Sequence, residues 1–141
     1  MIKELILVDY KYDSTVDALS IKVKDYEHER SVQLSDDVIM DFNKDNEFIA
    51  LEILNASYVL DADESSLENI RDIALSVKVT DYEIFVNAIF TLSVSNHEEI
   101  KVTNASITND IKIPKWDANL VTVWKFLLNS LLINYYGIFY F

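Results

Sequence analysis

The chain has 141 residues, half of them hydrophobic, and its 24 acidic residues against 12 basic ones give a net charge of −12 at neutral pH. That charge repels phosphate backbones and anionic lipid surfaces, so nucleic acid is not an expected partner. With no cysteine there are no disulfides or thiolate metal sites, and with one glycine, Gly137, there is no Gly-rich phosphate loop.

From the N-terminus, Leu5, Leu7 and Asp9 alternate with Ile6, Val8, Tyr10 and Tyr12, and Leu19, Ile21 and Val23 alternate with Ser20, Lys22 and Lys24. Period two is the pattern of strands with one face buried. Asp13-Ser14-Thr15 supplies turn chemistry between them, so residues 3–24 are predicted to form a hairpin. Val32 and Leu34, then Val38, Met40 and Phe42, lead to the polar run Asn43-Lys44-Asp45-Asn46-Glu47, after which Ile49, Leu51 and Ile53 return along one face. A second hairpin is predicted there.

Tyr12, Asp13, Asp17, Leu19 and Ile21, followed by Leu51-Glu52-Ile53-Leu54-Asn55-Ala56-Ser57, resemble the small bacterial and archaeal family known as domain of unknown function 2283. Its pattern is Tyr-Asp, three residues, Asp-x-Leu-x-Ile, an Asp/Gly-rich turn and Gly-Ile-Glu-Ile. Asn46 and Ala50 stand where that family usually has glycine; Asn accepts the left-handed conformation such a turn needs. The resemblance covers roughly residues 1–58. It implies a β-meander and no activity.

A meander of under 60 residues is weakly stable alone, so residues 59–141 are expected to pack on the first half. Ser65-Ser66-Leu67-Glu68 reads as a capping box opening a short helix that buries Leu67, Ile70 and Ala74. Leu75, Val77 and Val79 then alternate, and the positions from Tyr82 to Val94 do so over the chain's longest strand. Ser95-Asn96-His97-Glu98 turns the chain into a third strand carrying Ile100 and Val102. A three-stranded second meander follows from this.

The segment Ala18-Leu19-Ser20-Ile21-Lys22-Val23-Lys24-Asp25-Tyr26-Glu27 recurs at residues 74–83 with eight of ten positions identical, and Asn55-Ala56-Ser57 recurs as Asn104-Ala105-Ser106. One reading is a decayed duplication. The other is that alternating strands draw on few residue types.

Pro114 and Gly137 bracket a helix that Asp117 can cap. Leu120, Val121, Trp124, Leu127, Leu128, Leu131, Leu132 and Tyr135 share one face of it, with Thr122, Lys125, Asn129 and Ser130 opposite. The stripe is expected to pack on the sheet or on a second subunit. Membrane contact is the competing reading, opposed by Asn129, Ser130 and Asn134 and by the lack of basic anchors.

Three sets of residues could carry chemistry. Asp41, Asn43, Asp45, Glu47 and Glu52 match positions 1, 3, 5, 7 and 12 of an EF-hand loop. Asn46 replaces the required glycine and the flanks alternate with period two, so an acidic hairpin turn is the expectation. Asp13, Asp17, Asp41 and Glu52 could converge as an acid/base or magnesium site, but turn-stabilising and solvent-facing roles explain them without help and are the expectation. His28 and His97 fall in predicted turns without ligand spacing or a nucleophile motif, and read as solvated.

The expected architecture is therefore α+β: two small antiparallel β-meanders joined by a short helix, with a C-terminal amphipathic helix. The expected role is non-catalytic binding of another protein or of a second copy, without cofactor or metal. The alternatives are an antitoxin-like partner of a small basic toxin and a metal-assisted hydrolase using Asp13, Asp17, Asp41 and Glu52. Met1-Ile2-Lys3-Glu4-Leu5 lacks a signal-peptide layout, so the expected compartment is the cytoplasm.

Overall fold

Alternating burial follows alternating sequence along most of the chain, seen in a computed structural model that describes residues 4–25 and 27–122. Nine strands result: β1 (Glu4–Asp13), β2 (Ala18–Val23), β3 (Arg30–Gln33), β4 (Val38–Phe42), β5 (Phe48–Ile53), β6 (Ile70–Val79), β7 (Glu83–Val94), β8 (His97–Thr108) and β9 (Trp116–Thr122). Two single-turn helices, α1 (Ala56–Val59) and α2 (Glu64–Leu67), lie between β5 and β6.

All nine strands belong to one sheet, in the order β3-β4-β5-β2-β1-β9-β6-β7-β8, curled into a half-barrel. Among the described residues 61% lie in strands against 7% in helices, so the fold is mostly β and the α+β expectation is wrong. Leu19, Ile21, Met40, Leu51 and Ile53 from the first half share one buried cluster with Ile73, Leu75, Val77, Ile84 and Phe90 from the second. The inner face of the sheet is therefore the core, and the other face looks outward.

The β1–β2 and β4–β5 hairpins form at the positions expected from the sequence. They are joined by antiparallel pairing of β2 with β5, in which Leu19 faces Ile53 and Ile21 faces Leu51. After β2 the chain steps past two strand positions to begin β3 at the sheet edge, then returns through β4 and β5. A bulge at Asp41/Phe42 sets Phe42 opposite Phe48, and these two rings meet edge-on at 6.5 Å.

In the second half β6, β7 and β8 form the expected meander. The helix expected from the capping box is not what forms. α2 covers only Glu64–Leu67, with Asp63 rather than Ser65 at its N-cap, and β6 already begins at Ile70. A bulge between Ile70 and Asp72 explains the misreading. The extra residue lets Ile70 and Ile73 both face inward, and a spacing of three imitates helical periodicity.

The expected C-terminal helix is also overturned where the structure describes it, since Asp117 to Thr122 lie in β9. The rest of that helix, from residue 123 on, lies outside the described residues. Ala118, Leu120 and Thr122 point inward, while the intervening Val121 is apolar too and blurs the strand signature. β9 pairs parallel with β1, Glu4 to Val8 against Ala118 to Thr122, and antiparallel with β6. It thereby joins the two halves into one sheet. The buried Asn109 fixes the approach to β9, its side chain donating to the carbonyls of Thr80 and Ile113 and accepting from the Ile113 N–H.

The repeated decapeptides place Leu19/Ile21 and Leu75/Val77 alike on the inner face. Their topological positions differ: β2 has its hairpin partner, β1, before it in the chain, whereas β6 has its partner, β7, after it. Among the described residues no helix is long and apolar enough to cross a membrane.

Candidate functional site

The outer face of the first half carries a carboxyl group, that of Glu52, raised well above its ordinary value. Register places Ser31, Asp41, Ala50, Lys22 and Asp9 in one row across β3, β4, β5, β2 and β1, and Gln33, Ile39, Glu52, Ser20 and Lys11 in the next. Glu52 is therefore diagonal to both Asp41 and Lys22, with Ala50 between them. A single methyl at residue 50 leaves room for the longer side chains to meet.

Asp41 is fully buried and accepts the Ser31 hydroxyl at 2.6 Å. A hydrogen bond shared with Asp41, then burial, then the Asp41 charge push the Glu52 carboxyl up to about 7, while Lys22 opposes the rise. A hydrogen bond between two carboxyl groups needs one proton, and with the Glu52 carboxyl raised to about 7 that proton is held below neutrality and released as pH rises through it.

His28 Nε2 lies 2.9 Å from Ser31 Oγ and 3.8 Å from Asp41 Oδ1. The grouping has the members of a hydrolytic triad in the wrong order. Ser31 has a single proton and gives it to Asp41, so the hydroxyl meets the imidazole as an acceptor, whereas a nucleophilic serine must donate to it. The arrangement fixes β3 against β4. His28, expected to be merely solvated, is part of it.

Asp13 and Asp17 sit elsewhere, in the β1–β2 turn. Asp13 Oδ1 accepts from the N–H and hydroxyl of Thr15, which holds its carboxyl below the usual range. Asp17, at φ 51°, accepts the Tyr12 hydroxyl at 2.6 Å, the Ser57 hydroxyl at 2.6 Å and the Ser57 N–H at 3.0 Å, while its carbonyl accepts the Ala56 N–H. Burial would raise the Asp17 carboxyl, but the bonds from Ser57 and Tyr12 outweigh it and keep the group ionised. Burial, followed by the bond to Asp17, raises the Tyr12 phenol above its ordinary range. This staple ties the first hairpin to the start of α1.

The four carboxylates singled out in the sequence thus fall into separate networks: Asp41 with Glu52, Asp17 with Tyr12 and Ser57, and Asp13 within its own turn. The EF-hand-like segment is a hairpin turn, in which Asn43 Oδ1 accepts from the N–H groups of Asp45 and Glu47, and Asn46 stands at φ 61°. No group of three or more metal-ligating side chains occurs among the described residues. The roles of Ser31 and Lys22 depend on cross-strand register, and those of His28 and Ser57 on where the chain leads into β3 and α1, so no sequence spacing pointed to them.

A second outer-face feature lies beyond β1. Leu7, Val121, Ala74, Ile89 and Val102 stand opposite one another in turn across β1, β9, β6, β7 and β8. Leu7 is 41% exposed, Ile89 38% and Val102 54%, and Ile100 beside them reaches 60%. At the usual strand spacing the row is roughly 19 Å long. Its neighbour is polar apart from Leu5 at one end, continuing with Asn119, Ser76, Asn87 and Asn104.

Residues 9–57 match the family described as protein of unknown function (DUF2283), about a third of the chain. The resemblance read from Tyr12 to Ser57 is thus shown over that span, which contains both the Asp17–Ser57 staple and the Asp41–Glu52 pair. No curated protein and no solved structure matches the chain.

Proposed function

We propose that the protein is a non-catalytic interaction module of the cytoplasm that binds another protein through the outer face of its sheet. The observation that carries this reading is the apolar row from Leu7 to Val102. An outward face of an antiparallel sheet is ordinarily polar, and an exposed apolar row contributes nothing to the inner core. The net charge of −12 favours a partner that brings basic groups around an apolar centre. A small basic toxin is one partner of that kind, which makes an antitoxin-like role an instance of the same reading. A metal-assisted hydrolase would need Asp13, Asp17, Asp41 and Glu52 in one cleft, whereas these side chains are engaged in separate networks.

The test uses the full chain and its Leu7→Lys and Ile89→Lys variants as baits in extracts of the native host. A specific partner retained by the parent chain and lost by both variants is the expected result, with variant folding checked by circular dichroism. Identical recovery by all three chains would refute the reading.

A further inference from the structure

We infer that β8 is a self-pairing edge, through which two copies of the chain join their sheets antiparallel about a two-fold axis near Val102. The inference goes beyond the interaction reading: a second copy is itself acidic and joins at the strand edge, leaving the outer face to its own partner.

The sheet ends differ. β3 at one end has four residues, while β8 at the other has twelve, pairs along its whole length with β7 and contains no glycine, proline or bulge. Long, regular edges of this kind are templates for further pairing unless charge or distortion blocks them. The charged residues of β8 are confined to Glu98, Glu99 and Lys101, and Val102 to Thr108 carry none. Lys101 Nζ lies 3.4 Å from Glu99 Oε1, so two of the three neutralise each other within one copy.

The phase of the ladder shows which groups face outward. Ser95 and Asn96, both at positive φ, form a two-residue turn that sets Val94 opposite His97, and the pair closing such a turn is hydrogen-bonded. Odd-numbered residues of β8 therefore bond to β7. The Asn109 N–H, 2.9 Å from the Tyr82 carbonyl, extends the same phase at the far end. Glu98, Ile100, Val102, Asn104 and Ser106 consequently direct their N–H and C=O groups away from β7.

The side chains select one register. With Val102 opposite its own symmetry mate, Ile100 faces Asn104, Lys101 faces Thr103, Glu99 faces Ala105 and Glu98 faces Ser106, so no like charges stand directly opposite. Shifting the axis one residue toward the N-terminus would set Lys101 against Lys101 of the other copy, an unfavourable pairing, and shifting it one residue the other way would set Val102 against Asn104 and break the apolar row. The chosen register also runs the apolar row of one copy into that of the other at Val102. Five outward-facing residues per strand, each pair exchanging two bonds, give about ten backbone hydrogen bonds across the axis. The interface is isologous and closes at two copies.

Sedimentation and light scattering on the full chain should show a dimer, and amide exchange should show Ile100, Val102 and Asn104 becoming more protected as protein concentration rises. Val102→Pro removes an outward N–H that β7 does not use, and Val102→Lys places two ammonium groups on the axis. Both should give monomers with unchanged circular dichroism. A dimer that persists in both variants overturns the inference. Protection of the three amides that does not vary with concentration means the chain covers its own edge, which also overturns it. A monomeric parent chain does the same, yet leaves the outer-face reading intact if Leu7→Lys and Ile89→Lys still lose a common partner.

Discussion

Replacing Glu52 by Gln should change how stability depends on pH, and the sign follows from the carboxyl pair. The Glu52 carboxyl rises from 4.5 to about 7 on folding, so the folded chain binds its proton more tightly than the unfolded chain does. The stabilisation is fully present below the unfolded value and is lost as pH rises through the folded one. At 1.36 kcal/mol per unit the shift corresponds to roughly 3 kcal/mol. Glu52 retains solvent access, and screening reduces this to about 1–2 kcal/mol. In Glu52→Gln the amide donates to Asp41 at every pH, so that contribution no longer titrates. Urea melts at pH 5, 6, 7 and 8 at fixed ionic strength should show the parent chain losing about 1–2 kcal/mol relative to the variant across the window. Taking the difference cancels every group common to both chains. Parallel profiles for the two proteins would refute the shared-proton account of Asp41 and Glu52.

Leu19 and Ile53 face each other in full burial, so each truncation to Ala should cost about 2–5 kcal/mol in denaturant melts, and the double variant should depart from additivity. Asp17→Ala strands the Tyr12 and Ser57 donors and should cost roughly 2–3 kcal/mol at pH 7, with a coupling to Ser57→Ala of about 0.5–3 kcal/mol in a double-mutant cycle. Because the Asp17 carboxyl is lowered, its contribution should persist above the ordinary value of 3.8 and fade as pH falls below it, the opposite direction to Glu52. Asn46→Gly should cost about 1–3 kcal/mol in denaturant melts, because glycine accepts φ 61° but removes the Asn46 Oδ1 to which the Arg30 guanidinium donates, and adds freedom to the unfolded chain.

Strands were legible wherever one face was apolar and the other polar, as in Ala18–Val23 and Glu83–Val94. The readings failed where an alternation was broken or doubled. At Ile70 to Ile73 a bulge stretched the spacing to three, and at Leu120/Val121 both faces were apolar, one lining the core and the other belonging to the outer row. Each pattern resembles one side of a helix. The candidate site divided in the same way. Asp41 and Glu52 are visible as acidic residues in alternating strands, but their proximity depends on β4–β5 register, and Ser31 and His28 approach only because β3 returns to the edge beside β4. No spacing within the chain encodes that approach.

The position of β9 has a consequence for the order in which the protein can form. Its residues, Trp116–Thr122, are the last described strand to leave the ribosome, yet they fill the gap between β1, the first strand, and β6. The hairpins on either side are built from near neighbours and can assemble early, whereas the β1–β9 seam joins Glu4 to Ala118 in parallel, a closure of high contact order. Until that seam closes, β1 and β6 each expose a strand edge in the nascent chain. The interval between synthesis of Val79 and of Thr122 is thus the period in which this chain is most open to mispairing, and closure of the seam ends it.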